Sequence, residues 1–129
     1  MIRDIEISFN EEINGYIIQL PDFVELDMLK NAKFRLEKLL LESPRKTSFS
    51  VLLDTGAHEF ESIECLKYLR GLLSIKPLVD NCRIFASVAP ESYSQAEFKS
   101  GTEASFNEYS LAYSWLKNSH ASNADNGVA

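Results

Sequence analysis

The spacing of apolar residues changes along the chain, and each change marks an element. Ile5, Ile7 and Phe9 fall two apart, the period of a strand. A second such run, Tyr16-Ile17-Ile18-Gln19-Leu20, follows Asn14-Gly15. Asn-Gly between two strand-like runs is a strong hairpin signal, because both residues tolerate positive φ. The chain is therefore expected to open with two antiparallel strands. After Pro21-Asp22 the period becomes helical, with Leu26, Leu29, Ala32 or Lys33, Leu36, Leu39 and Leu40 recurring at three and four. Lys30, Arg35, Lys38 and Glu42 take the other face, and the helix is expected to run to about Leu41, stopped before Pro44. Asp22 and Asp27 both offer N-caps, and Asp22 with Glu25 matches a capping box.

Further on, Ser48 to Leu53 (SFSVLL) reads as a buried strand ending at Asp54-Thr55-Gly56. A second helix is expected from Ile63 to about Ile75, with Leu66, Leu69, Leu72 and Leu73 on one face, Pro77 at its limit and Gly71 as an odd residue inside it. Cys82 to Val88 (CRIFASV) reads as another buried strand. Pro90 to Phe98 fits one or two helical turns, with Pro90 at the first position and Gly101 beyond the end. Glu103 to Phe106 fits a short edge strand. Asn107 then caps a last helix, Glu108 to Lys117, with Leu111, Ala112, Trp115 and Leu116 inward. The small, polar stretch 119–129 reads as a disordered tail behind a single domain, residues 1–118. The order β-β-α-β-α-β-(short α)-β-α predicts an α/β fold: one mixed, mainly parallel sheet of four to five strands with helices packed against it.

Composition narrows the chemistry. The 129 residues carry 13 Lys plus Arg against 19 Asp plus Glu, a net charge of −6. Such a chain is poorly suited to nucleic acid, whose phosphates call for clustered Lys and Arg. Two Cys, Cys65 and Cys82, make no disulfide framework and read as small core residues, reduced in a cytoplasmic protein. The N-terminus, MIRDIEISFNEE, is interrupted by charge too often for a signal peptide, and no apolar run approaches the ~18 residues of a spanning helix. The charge is also polarised. Residues 1–28 hold seven acidic and one basic residue, net −6, whereas Lys30, Lys33, Arg35, Lys38, Arg45 and Lys46 against Glu37 and Glu42 give +4 over residues 30–46. That basic helix reads either as a docking face for an acidic partner or anionic membrane surface, or as a solvated face with a Lys33–Glu37 pair.

Three segments carry a family resemblance. They are Val51-Leu52-Leu53-Asp54 through Phe60 to Leu66, the strand Ile84-Phe85-Ala86-Ser87-Val88, and the closing Phe106-Asn107-Glu108 with Leu111-Ala112-Tyr113-Ser114-Trp115-Leu116. Over residues 13–118 the chain resembles the STAS domain, and within it the SpoIIAA-like group of small bacterial proteins. The resemblance implies an anti-sigma factor antagonist, which binds a kinase-like partner and is released by phosphorylation of a Ser or Thr at the start of the helix after the central strand. Matching Asp54, Phe60 and Leu66 sets Ser62, Ile63, Glu64 and Cys65 against the family's Asp-Ser-Ser-Gly. Ile63 or Glu64 then holds the phosphoacceptor position, so the phosphoserine switch of the classical members is not expected. A relation of some members to lipid-binding SEC14 domains implies an alternative, a small-ligand or lipid-binding module.

The residues expected to meet a partner are Asp54, Thr55, His58, Glu59, Phe60, Glu61, Ser62 and Glu64, at a strand's C-terminal end where open α/β sheets place their sites. Ser62 and Thr55 are the nearest hydroxyls to the family's switch. Their plainer readings are a helix N-cap and a turn residue. Asp54 and His58 could serve an enzyme or a metal only with partners that the sequence does not supply, since the second histidine is His120 in the tail. No Gly-rich phosphate loop or nucleophile elbow is present. The expectation is a non-enzymatic regulator without metal or cofactor, acting on a protein partner, with a homodimer left open.

Overall fold

The computed structural model describes residues 4–42, 49–55, 59–88 and 103–128. Five strands form the main sheet, in the order β1-β2-β4-β6-β7. These are β1 (Glu6–Asn10), β2 (Gly15–Gln19), β4 (Phe49–Asp54), β6 (Cys82–Val88) and β7 (Glu103–Phe106). β1 pairs antiparallel with β2, and every other pairing in this sheet is parallel. Two further strands, β3 (Phe23–Val24) and β5 (Glu59–Phe60), form a separate two-stranded parallel sheet. The helices are α1 (Leu26–Glu42), α2 (Ile63–Leu72), α3 (Lys76–Asn81) and α4 (Tyr109–Val128). This is the mixed, mainly parallel α/β architecture the sequence predicts.

Side-chain alternation divides the sheet between two cores. Tyr16, Ile18, Phe49, Val51 and Leu53 face α1, α2 and α3, where Leu29, Ala32, Leu36, Leu40, Cys65, Leu69, Leu72 and Leu78 meet them. Ile17, Leu52, Ile84, Ala86 and Val88 face α4 and its Ala112 and Leu116. The register between β4 and β6 shifts at Phe49/Ser50, pairing Phe49 with Cys82 and Ser50 with Ile84. The extra residue there reverses the phase of β6. Cys82 therefore packs on the first core and Ile84 in the second, although they stand two apart.

The hairpin forms as expected, but Asn14 and Gly15 take different parts in it. The turn spans Glu11 to Asn14, closed by the Asn14 N–H donating to the Glu11 carbonyl at 3.2 Å. Asn14 takes the positive φ, 50°. The Asn10 side-chain oxygen accepts the N–H of Glu12 at 2.9 Å. Gly15 already belongs to β2, opposite Ser50. A Cβ on Gly15 would stand 2.2 Å from the Ser50 carbonyl oxygen, so glycine is needed there for close approach. Ser50 completes the junction: its N–H donates to the Asn14 carbonyl at 3.0 Å and its hydroxyl to the Ile13 carbonyl at 2.9 Å.

Several helix boundaries depart from expectation, each for a local reason. Neither Asp22 nor Asp27 caps α1. Glu25 does, its carbonyl accepting the N–H of Met28 and Leu29. The second helix is two. A continuous helix would drive the Pro77 ring into the carbonyl four residues back, so α2 ends at Leu72 and α3 restarts with Pro77 in its first turn, where its missing N–H leaves no bond unmade. At α4 the first carbonyl to accept, from Ala112, is that of Glu108, one residue after the expected cap Asn107. α4 then runs on to Val128, through the stretch read as disordered. Extending a formed helix avoids the cost of a new nucleus and adds one hydrogen bond per residue fixed. Arg35, counted with the basic docking face, is instead tied to the residue before β1, its Nη2 donating to the Ile5 carbonyl at 2.8 Å. The expected helix at Pro90–Phe98 lies outside the described residues.

α4 is also pinned to the hairpin turn. The Tyr113 hydroxyl donates to Glu12 Oε1 at 2.5 Å, and Lys117 Nζ lies 3.1 Å from Glu12 Oε2. The Tyr113 hydrogen bond, followed by that of Lys117 and its charge, holds the Glu12 carboxyl below its ordinary value. The same Glu12 bond raises the Tyr113 phenol.

Two predictions follow from these contacts. Gly15→Ala is expected to destabilise the protein by on the order of 1–3 kcal/mol, because the colliding atoms are backbone and cannot turn aside. An unchanged urea midpoint would refute the close-approach role. A carboxyl lowered in the folded state stabilises it above the unfolded value, about 4.3, and that contribution is lost as pH falls through the folded value. Glu12→Gln should therefore flatten the stability–pH curve below about pH 4.3. Urea midpoints between pH 3 and 7 measure it, and a curve of unchanged slope excludes the linkage.

Candidate functional site

The C-terminal ends of the parallel strands gather most of the residues singled out from the sequence. Asp54 closes β4, half-buried, and its carbonyl accepts the Leu20 N–H at 3.1 Å. Thr55 donates its N–H to the Val88 carbonyl at 2.9 Å, and its hydroxyl donates to the same oxygen. Thr55 thus ties β4 to β6. Tyr109, at the start of α4, has its phenol raised by burial, with the charges of Tyr113 and Asp54 adding to the effect. Burial likewise pushes the Cys82 thiol up to about 11, which keeps it protonated and unreactive at neutral pH. His58, with Gly56 and Ala57, lies outside the described residues.

Beyond that gap the chain is stitched to the segment before α1. Glu59 donates its N–H to the Asp22 carbonyl at 2.7 Å and Glu61 donates its N–H to the Val24 carbonyl at 2.8 Å, which makes the β3–β5 ladder. Phe60 turns inward onto the larger core. The Glu61 carboxylate accepts the Leu26 N–H at 2.9 Å and so caps α1 from a distant part of the chain. Helix N-termini carry unpaired N–H groups and a positive dipole end, so a carboxylate suits this place. Ser62 is the N-cap of α2, in extended backbone, but its hydroxyl makes no cap bond. That hydroxyl lies 3.9 Å from the sulfur of Cys65, whose thiol donates to the Val24 carbonyl at 3.6 Å.

The structure therefore brings Glu59, Phe60, Glu61, Ser62 and Glu64 together, but gives several of them structural work. What remains outward is partly apolar. Ile63 is 69% exposed, Leu66 44% and Phe23 47%. Asp22, Glu25, Glu59, Glu61 and Glu64 are exposed around the same short stretches. Glu64 pairs with Lys67 at 3.8 Å, an exposed contact worth little. Leu66 was expected on the buried face of its helix. The buried face is instead Cys65, Leu69 and Leu72. Ile63, two residues before Cys65, falls about 200° round the helix from it. Taking Cys65 as a core residue and winding from it would have placed Ile63 outside. Phe23 carried no such signal, because a two-residue strand has no period.

Among the described residues no group of His, Cys, Asp and Glu is arranged to hold a metal ion, and no helix is long and apolar enough to cross a membrane. No family model matches the chain, and no curated protein does. The fold has a counterpart among solved structures. An uncharacterized protein of the DUF3478 family from Shewanella loihica PV-4, described as having a SpoIIAA-like fold, aligns over 87% of this chain and 91% of its own, with a TM-score of 0.59 and 17% sequence identity. The SpoIIAA-like fold read from the three sequence segments is thus the fold of this chain.

The two capping residues differ in what their side chains do, and substitution separates them. Glu61→Ala is expected to cost about 1 kcal/mol through the lost cap of α1. Ser62→Ala should change stability by only a few tenths, about 0.5 kcal/mol at most, since its hydroxyl caps nothing. Equal losses in chemical denaturation would contradict this assignment.

Proposed function

We propose that this chain, built on a SpoIIAA-like fold, is a non-enzymatic regulatory protein of the bacterial cytoplasm that works by binding another protein. The supporting observation is the exposed apolar trio Phe23, Ile63 and Leu66 on the unit made by β3, β5 and the start of α2. Single exposed apolar residues are ordinary on a protein surface. Three on one stitched unit, with acidic neighbours, resemble the apolar centre and polar rim of a docking surface. The carboxylates of Asp22, Glu25, Glu59, Glu61 and Glu64 favour a partner presenting basic residues around an apolar centre. The resemblance to anti-sigma factor antagonists supplies the partner class, a kinase-like protein.

The surface is not read as phosphorylation-controlled. By the resemblance, Ile63 or Glu64 holds the family's acceptor position, and the Thr55 hydroxyl is bound to the Val88 carbonyl. A phosphate on Ser62 would stand beside Glu61 and Glu64, where like charge opposes it.

The test compares wild type with Ile63→Asp/Leu66→Asp as immobilised baits in lysate of the source bacterium. Both positions are exposed, so the variant should keep its thermal midpoint. The expected result is a specific protein retained by wild type, lost by the variant and unphosphorylated at Ser62 and Thr55 in mass spectrometry. Equal retention by both baits would remove this surface from the reading. Lipid co-purifying in native mass spectrometry, with no specific protein retained, would favour the small-ligand or lipid-binding alternative.

A further inference from the structure

Gly71 has no explanation in the packing around it. It stands next to last in α2, in ordinary helical backbone, where glycine weakens a helix relative to alanine. A Cβ added there would meet nothing within 4 Å. Neither a left-handed turn nor a close neighbour requires the missing side chain. Gly71 instead lines a groove. The groove lies between α1 and α2, holds about 260 Å³, and is lined by Leu26, Lys33, Glu64, Lys67, Tyr68 and Gly71.

The lining has a definite chemistry. Leu26 and the Tyr68 ring offer apolar surface from the two helices. Lys33 stands on the α1 wall and Lys67 on the α2 wall. Lys67 is already engaged with Glu64 at 3.8 Å. Lys33 is half-buried and makes no ion pair with a described residue, so the Lys33–Glu37 pair allowed by the sequence is not formed. The lining side chains carry two ammonium groups and one carboxylate, with the Glu61 carboxylate adjoining at the Leu26 N–H. The groove's volume is below that of sites for drug-sized ligands.

We propose that this groove binds a small free organic anion, an apolar ring or short chain bearing one carboxylate or phosphate. The apolar part lies over Gly71 between Leu26 and Tyr68, and the anionic group meets Lys33, with Lys67 opposite. The site is separate from the docking trio, although Glu64 borders both.

The full chain is titrated with phenyl phosphate and with phenylacetate, followed by NMR and calorimetry. Saturable binding of at least one is expected, with shifts at Lys33, Tyr68 and Gly71, and with inorganic phosphate weaker than phenyl phosphate. Lys33→Gln should weaken binding roughly tenfold. Gly71→Leu should abolish it while the thermal midpoint stays at or above that of wild type, because leucine is the better helix former and a Cβ there meets nothing within 4 Å. Gly71→Ala should raise the midpoint. The Ile63→Asp/Leu66→Asp variant should bind the probes as wild type does, which keeps this test distinct from the docking reading. Absence of saturable binding by both probes would overturn the proposal, as would unchanged affinity in Gly71→Leu or a lowered midpoint in Gly71→Ala. Binding confined to phosphatidylglycerol vesicles and lost in Lys33→Gln would also overturn it, assigning the lysine to a lipid headgroup instead of a free anion.

Discussion

The antiparallel hairpin joins the parallel part of the sheet where the backbone of Gly15 lies against that of Ser50. The Ser50 N–H and hydroxyl reach back to the carbonyls of Asn14 and Ile13, at 3.0 and 2.9 Å. These bonds fix the register in which Tyr16 meets Val51 and Ile18 meets Leu53. Because side chains alternate with period two, that register decides which residues enter which core. A slip of one position would send Tyr16 and Ile18 toward α4, where the small Ala112 faces them, and Ile17 toward α1. The edge-to-face stacking of Tyr16 on Phe49, with centroids 5.2 Å apart, exists only in the observed register.

The same close junction sets the far end of the sheet. With β2 and β4 in register, Leu20 reaches the Asp54 carbonyl and the chain leaves both strands together. The segments that follow, residues 22–26 and 59–62, then run side by side and satisfy each other's backbone groups. Buried or crowded N–H groups need partners, and here the partners come from the residues first noticed as chemistry. Glu61 caps a helix, Thr55 joins two strands and Ser62 begins a helix. Once the polar groups of these segments are accounted for in this way, the apolar Ile63, Leu66 and Phe23 remain exposed beside them.

Legibility in the sequence followed the length of each element. β6 and β7 lie where their apolar runs place them, and α1 begins at the expected Leu26. Periodicity needs several residues to declare itself. β3 and β5, two residues each, are stabilised by a partner 36 positions away in the pairing of Phe23 with Glu59, and no local pattern encodes that. Glu61 was legible only as one charge in an acidic loop. Its role as the cap of α1 depends on a contact across 35 residues. Leucine spacing alone puts Leu66 on the buried face, yet the smaller Cys65, its thiol next to the Val24 carbonyl, lies on the face that is buried. Gly71 was visible as an oddity, but its meaning needed the helix opposite.

The end of the sheet is held at many points by backbone bonds of 2.7–3.1 Å, and this bears on the proposed docking role. A surface already fixed in place loses little conformational entropy when a partner binds, so modest apolar area suffices for useful affinity. A phosphorylation switch works in the opposite way, by changing the charge of a segment that two states share. The Thr55 hydroxyl is held by a strand carbonyl, and the position of the classical acceptor carries Ile63 or Glu64. In the proposed reading, side chains that would contact a partner stand where the classical members carry the switch. On this physical ground a rigid docking surface is the more consistent reading of this end of the fold. In that reading, control of docking would fall to a ligand at another site whose affinity differs between the free and the docked protein.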